Sequence, residues 1–212
     1  MAQKKHQKPS LNIVIPVYNE QADLEKSIRT LVSYLMLHLD DFDWVITIAD
    51  NASIDDTLDI AHRLSREFTR VKVVHLDERG RGRAVKSVWA KSNTDLVAYM
   101  DVDLSTDLKH FPPLVRSLLR GYDLAIGSRN AKGARVYGRS IVRTITSKAY
   151  IVLIKCFFLV HFTDAQCGFK AVTRNAVEVL LPKIEDNEWF FDTELLILAE
   201  KLGIRMYEEA VT

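Results

Sequence analysis

The sequence predicts an α/β protein on a mostly parallel, doubly wound sheet, and three observations carry that expectation. Short apolar runs alternate with helical repeats through residues 11–127, the connections between them are short, and polar clusters follow several of the runs. A run such as Leu96, Val97, Ala98, Tyr99 and Met100 has the unbroken apolar character of a strand covered on both faces. Asp101-Val102-Asp103 follows it directly. Carboxylates at that end of a parallel strand point into the crevice where open α/β sheets bind ligands.

The elements follow in order. Residues 11–17 read as a strand, with Pro16 near its end. Asn19 is the expected cap of a helix whose apolar positions are Leu24, Ile28, Leu31, Leu35 and Leu39. Residues 44–49 read as a strand ending at Asp50-Asn51, and Ser53 with Asp56 resembles a capping box for a helix burying Leu58, Ala61, Leu64 and Phe68. Residues 71–76 form the third strand. A Gly80-Arg81-Gly82-Arg83 loop then enters a helix carrying Val85, Val88 and Trp89. After the fourth strand, Pro112 and Pro113 suit the first turn of a helix, and residues 123–127 a short strand. Beyond Gly127 the pattern changes to a basic stretch, an apolar segment, a strand at 169–172, a helix at 191–202 and a last strand at 205–207.

With 212 residues, 48% hydrophobic and a formal net charge of +1, the chain is long enough for a full core, and its overall charge points to no partner. Locally, Lys132, Arg135, Arg139 and Arg143 lie in a stretch without acids, which suits phosphates, an anionic membrane surface or a solvated face. Tyr137 is the single aromatic there before Tyr150, so a nucleic-acid surface is not expected. Cys156 and Cys167 show no metal-ligand spacing and read as reduced thiols. The N-terminal lysines lack the apolar stretch of a signal peptide, and no segment reaches the ~20 apolar residues of a membrane span. The nearest approach, residues 149–162, reads as a core helix or as one lying in a membrane interface.

Four strand ends thus bring Tyr18-Asn19-Glu20, Asp50-Asn51, Gly80-Arg81-Gly82-Arg83 and Asp101-Val102-Asp103 to one edge. Each has a simple local explanation, such as an Asx turn or an acid at a helix start. Together they form a ligand crevice. No Gly-x-Gly-x-x-Gly follows the first strand and no Walker motif exists, so a nucleotide held by acids, and through its phosphates by a metal, fits better than a dinucleotide.

These clusters, with Ile15-Pro16-Val17, Ala52-Ser53, Asp55 and Thr57, Leu104-Ser105, Gly127-Ser128-Arg129, Asp164-Ala165-Gln166-Cys167-Gly168-Phe169-Lys170 and Phe191-Asp192-Thr193-Glu194-Leu195-Leu196, resemble the family 2 glycosyltransferases of the dolichyl- or polyprenyl-phosphate mannose and glucose synthase type. The resemblance runs from Leu11 to Val211. It implies a GT-A fold with a nucleotide-sugar half at 11–127, an acceptor-side half at 128–212 and a basic tail at 1–10.

It also implies a metal-dependent, inverting transfer of a hexose from UDP-glucose or GDP-mannose to a polyprenyl or dolichyl phosphate at the cytoplasmic face of a membrane. Pro16, Tyr18, Glu20 and Asp50 would line the nucleoside pocket. Asp101, Val102 and Asp103 would serve the ribose and a Mg²⁺ or Mn²⁺ ion. Ser105 stands where some relatives place a third, glutamine metal contact. Arg83 joins the donor-binding candidates. Arg129 and Arg143 would meet phosphates, and residues 147–162 would admit the lipid. Relatives usually continue past the last strand into a further amphipathic segment. An acceptor phosphate already carries charge, so a strong general base is not obligatory; Asp192 and Asp164 are the candidates if one is used. A hydroxyl acceptor would require one of them. A non-catalytic nucleotide-sugar-binding or membrane-docking module is the alternative of another class.

Overall fold

The computed structural model describes residues 8–134 and 141–212, with side chains in the helix at Ile141 given from residue 146 onward. The chain runs β1 (Ser10–Val17), α1 (Leu24–His38), β2 (Asp43–Asn51), α2 (Thr57–Glu67), β3 (Val71–Leu76), α3 (Arg81–Lys91), β4 (Leu96–Met100), α4 (Phe111–Leu119), β5 (Leu124–Ser128), α5 (Ile141–Phe158), β6 (Phe169–Thr173), α6 (Arg174–Leu180), α7 (Phe191–Lys201) and β7 (Met206–Ala210). One seven-stranded sheet has the order β3-β2-β1-β4-β6-β5-β7. Among the described strands only β6 runs against its neighbours: it is antiparallel to both β4 and β5.

Alternation along the strands sends Leu11, Ile13 and Ile15 to one face and Val14 to the other. On the first face α1, α2 and α4 pack with Leu24, Ile28, Leu31, Leu64, Phe111 and Leu114 fully or almost fully buried. On the second, α3, α5, α6 and α7 close over Trp89, Tyr99 and Phe191. The Trp89 ring meets Tyr99 at 5.9 Å and Phe191 at 6.1 Å between centroids. Each such buried aromatic contributes about 1.5–3 kcal/mol from area alone. Proline stands at the start of α4, as expected from the sequence.

Two expected helix caps prove to be something else. Asn19 adopts φ 55° and its side chain accepts from the Ile54 N–H at 2.9 Å, while Ser53 Oγ accepts from the Asn19 N–H at 3.0 Å. The hydroxyl of Thr57 accepts from the Glu20 N–H at 2.7 Å. These residues lace the loop after β1 to the loop after β2, and the helices start later, at Leu24 and Thr57. The short α6, capped by Thr173, has no counterpart in the sequence reading. The apolar segment is also shorter as a helix than its composition suggests. Leu159 turns left-handed at φ 51°, and Val160 and Phe162 fold back into the core. Glu200 accepts from the His161 N–H at 2.8 Å and holds that return. No helix of the described residues is long and apolar enough to cross a membrane.

Candidate active site

The carboxyl ends of β1, β2 and β3 open into a cavity of about 360 Å³ lined by Pro16, Tyr18, Glu20, Asn51, Arg79, Gly80, Arg81, Glu188 and Trp189. Arg79 lies 4.1 Å over the Tyr18 ring. Gly80 has φ 144°, and a Cβ there would come within 2.6 Å of the Asn187 carbonyl, so the strand-to-helix turn packs directly on the loop before α7. Lys86 fixes that loop, donating to the Ile184 carbonyl at 2.8 Å and to Asn187 Oδ1 at 3.0 Å. The wall carrying Glu188 and Trp189 is thereby tied to α3.

At the end of β4, Asp101 and Asp103 part company. Asp103 is exposed, and one of its oxygens accepts from the Ser105 N–H at 3.0 Å. Asp101 Oδ1 accepts from Arg81 at 2.6 Å. Val102 is buried between them. Burial, joined by the charges of Asp23, Asp103 and Asp55, raises the Glu20 carboxyl above its ordinary value. Glu20 on the cavity wall and Asp103 thus lie close enough for their charges to act on each other. That suits a hard cation, although among the described residues no three acids, histidines or cysteines form a complete metal site.

Beneath this lies an ionic network whose inner pair, Lys170 and Asp192, is buried. Arg81 bridges Asp101 and Asp192, reaching Asp192 Oδ2 at 2.5 Å, and is flanked by the rings of Tyr99 at 5.0 Å and Trp189 at 5.1 Å. Asp192 Oδ1 lies 2.8 Å from the Lys170 ammonium and accepts from the Tyr99 hydroxyl. Burial would raise the Asp192 carboxyl, but Lys170 and Arg81 overcome it and hold the group below its ordinary range. The Tyr99 phenol is pushed well up by burial and by the Asp192 charge. Both Asp192 oxygens thus have partners.

A second cavity, also about 360 Å³, is lined by Arg129, Asn130, Thr146, Ser147, Tyr150, Ile151, Asp164, Ala165 and Gln166. Asp164 accepts from the Arg129 N–H and the Gln166 N–H, each at 3.1 Å, which fixes the loop ahead of β6 against the end of β5. Tyr150 on α5 shares a 2.7 Å hydrogen bond with Thr193, next to Asp192. Beyond this cavity the same helix divides its faces. Ile151 and Ile154 are buried, whereas Val152, Leu153, Phe157 and Leu159 are 55–79% exposed.

The structure gathers Pro16, Tyr18 and Glu20 in the first cavity and Arg129 and Asp164 in the second. Asp50 is not on the cavity wall. It points the other way, fully buried and 2.7 Å from His75 Nδ1, and Asn51 lines the cavity in its stead. Successive strand residues face opposite sides, so only one of the pair faces this cavity. Arg83 is likewise turned aside to Glu78, and Arg81 occupies the cavity. Ser105 is exposed and contributes its backbone N–H to Asp103. The side chain of Arg143, like residues 135–140 with Arg135, Tyr137 and Arg139, lies outside the described residues. Sequence reasoning singled out neither Arg79 nor Trp189, and it carried Lys170 only within the Asp164–Lys170 motif, without a role. A lysine among Phe169, Ala171 and Val172 was the available signal, since a charge in a covered strand requires a partner.

A mixed sheet with β6 reversed beside β4, carrying an acidic pair at the end of β4, has the GT-A fold of the kind glycosyltransferases use. The chain belongs to glycosyltransferase family 2: the profile described as "Glycosyl transferase family 2" matches residues 12–181. It is 38% identical over 200 residues to glycosyltransferase AglD of Haloferax volcanii, covering 93% of this chain and 32% of that protein. It is 29% identical to a dolichyl-phosphate beta-glucosyltransferase of Drosophila melanogaster, covering 95% of this chain and 66% of the relative. The chain therefore spans about a third of the first relative and just under two thirds of the second. Among solved structures, glucosyl-3-phosphoglycerate synthase from Mycobacterium tuberculosis in complex with Mn²⁺, UDP-glucose and phosphoglyceric acid shares the fold with a TM-score of 0.68 at 22% identity, covering 94% of this chain and 69% of that one.

Proposed function

We propose that this chain is the catalytic domain of a metal-dependent, inverting glucosyltransferase. It moves glucose from UDP-glucose to a polyprenyl or dolichyl phosphate at the cytoplasmic face of a membrane. The names of its dolichyl-phosphate beta-glucosyltransferase relatives support the sugar and the acceptor. UDP-glucose is an α-linked donor, so a β-linked product requires inversion. The observation that carries the choice of acceptor is the state of Asp192. With Lys170 and Tyr99 on one oxygen and Arg81 on the other, it is poorly placed to accept a proton from a sugar hydroxyl. Asp164 is equally committed to backbone N–H groups. A phosphate acceptor needs no such base.

In this reading Tyr18, Arg79 and Asn51 hold the nucleoside, and the diphosphate lies toward Arg81 and the Asp101–Asp103 pair. Asp103, with Asp101, would hold a Mg²⁺ or Mn²⁺ ion. Bound there, the ion supplies charge neutralisation for the leaving diphosphate. Arg81 adds a fixed positive charge on the same side. The acceptor phosphate enters the second cavity beside Arg129 and attacks the anomeric carbon from the face opposite the diphosphate. The exposed apolar face of α5, with Phe157 and Leu159 at its end, suits an interfacial position that delivers the lipid.

A thermal-shift comparison of UDP-glucose and GDP-mannose, each with and without Mn²⁺, tests the donor site, because ligand binding to the native state raises Tm. A shift that requires both UDP-glucose and Mn²⁺ is expected. A shift with GDP-mannose alone would reassign the donor, and no shift with either would favour a non-catalytic domain.

A further inference from the structure

We propose that Lys170 is a positioning residue that couples the two cavities, so that filling one changes affinity at the other. The inference rests on the donor and acceptor assignments above. Lys170 is 0% exposed, on the one strand that runs against its neighbours. Its ammonium donates to the Ala165 carbonyl at 3.1 Å and to the Cys167 carbonyl at 2.7 Å. Ala165 lies in the wall of the second cavity. The same ammonium donates to the Tyr99 hydroxyl at 3.2 Å and lies 2.8 Å from Asp192, which holds Arg81 in the first cavity.

One buried cation therefore fixes the acceptor-side loop on one flank and the donor-side guanidinium on the other. A shift of the 165–167 loop on acceptor binding moves the ammonium, the Asp192 carboxylate and then Arg81. A shift of Arg81 on donor binding runs the same path backwards. Thermodynamic linkage makes the two effects equal.

The test is a pair of titrations on the full chain with Mn²⁺: UDP with and without farnesyl phosphate, and farnesyl phosphate with and without UDP. UDP replaces UDP-glucose so that no turnover occurs. In the wild type each ligand should change the other's Kd by the same factor, about fivefold or more. K170M removes the ammonium but strands a buried carboxylate, so the decisive variant is K170M/D192N, which removes both charges together. Its coupling factor should fall to about one while both ligands still bind, and Y99F should lower the factor by a smaller amount. A merely structural role would lower Tm and weaken each ligand alone but leave the factor in place. An unchanged factor in both variants, or a wild type that binds both ligands independently, overturns the proposal. A wild type that binds neither UDP nor farnesyl phosphate overturns the functional reading, and this inference with it.

Discussion

Gly168 lies directly beneath the Asp101 carboxylate: a Cβ at residue 168 would stand 1.8 Å from Asp101 Oδ2 and 2.4 Å from its carboxyl carbon. The Asp101 N–H also donates to the Gly168 carbonyl at 3.2 Å. Backbone and carboxylate are thus in contact on both sides of the strand pair. G168A must push Asp101 out of line with Arg81. The expected result is a loss of Mn²⁺-dependent UDP-glucose affinity of tenfold or more, with an overpacking cost of about 1–3 kcal/mol by chemical denaturation. Wild-type affinity in G168A would show that the position of Asp101 is unimportant to the donor.

Asp103 is exposed, and its side chain accepts from a neighbouring backbone N–H. D103N should therefore leave stability within about 0.5 kcal/mol of wild type. It should also abolish the dependence of donor binding on Mn²⁺, measured by titration with and without the metal. Normal metal dependence in this variant would remove Asp103 from the metal site.

Phe157 is 79% exposed and Phe158 39% exposed at the end of α5. Replacing both with serine should cost about 1 kcal/mol or less, as surface substitutions do. Sedimentation with anionic vesicles should show several-fold weaker binding. A variant that unfolds instead would place these rings in the core.

The two cysteines should differ sharply toward a thiol reagent. Burial, reinforced by the Asp164 charge, pushes the Cys167 thiol up to about 11 against the smaller opposing effects of Arg129 and Lys170. Cys156 is exposed. At pH 7.5 one equivalent should react in the folded chain and a second only after denaturation, because the thiolate is the reactive form. Two fast equivalents would contradict the packing of β6 against its neighbours.

The sheet's outline was legible because its signals are local. The span of β3 coincides with the expected 71–76, and β4 with the apolar run before Asp101. Strand direction was not legible: residues 169–173 have the same apolar character whether they run with β4 or against it. Asn19 and Ser53 fit a capping pattern by type, yet their partners lie 35 and 34 residues away, beyond any local rule. At the site, the motif residues were found, but facing was decided by register. Asn51 rather than Asp50, and Arg81 rather than Arg83, reach the cavity. The Lys170–Asp192 pair joins residues 22 positions apart on different elements, and only the fold brings them within 2.8 Å.

In the proposed reaction glucose passes to a lipid phosphate without a carboxylate base. Its most direct test incubates the chain with UDP-glucose, Mn²⁺ and polyprenyl phosphate in anionic vesicles, then analyses the lipid product and its anomeric configuration. A β-linked glucosyl phosphate that disappears in D103N is expected. A product linked through a sugar hydroxyl, an α-linked product, or no lipid-linked glucose while UDP-glucose still binds would contradict it.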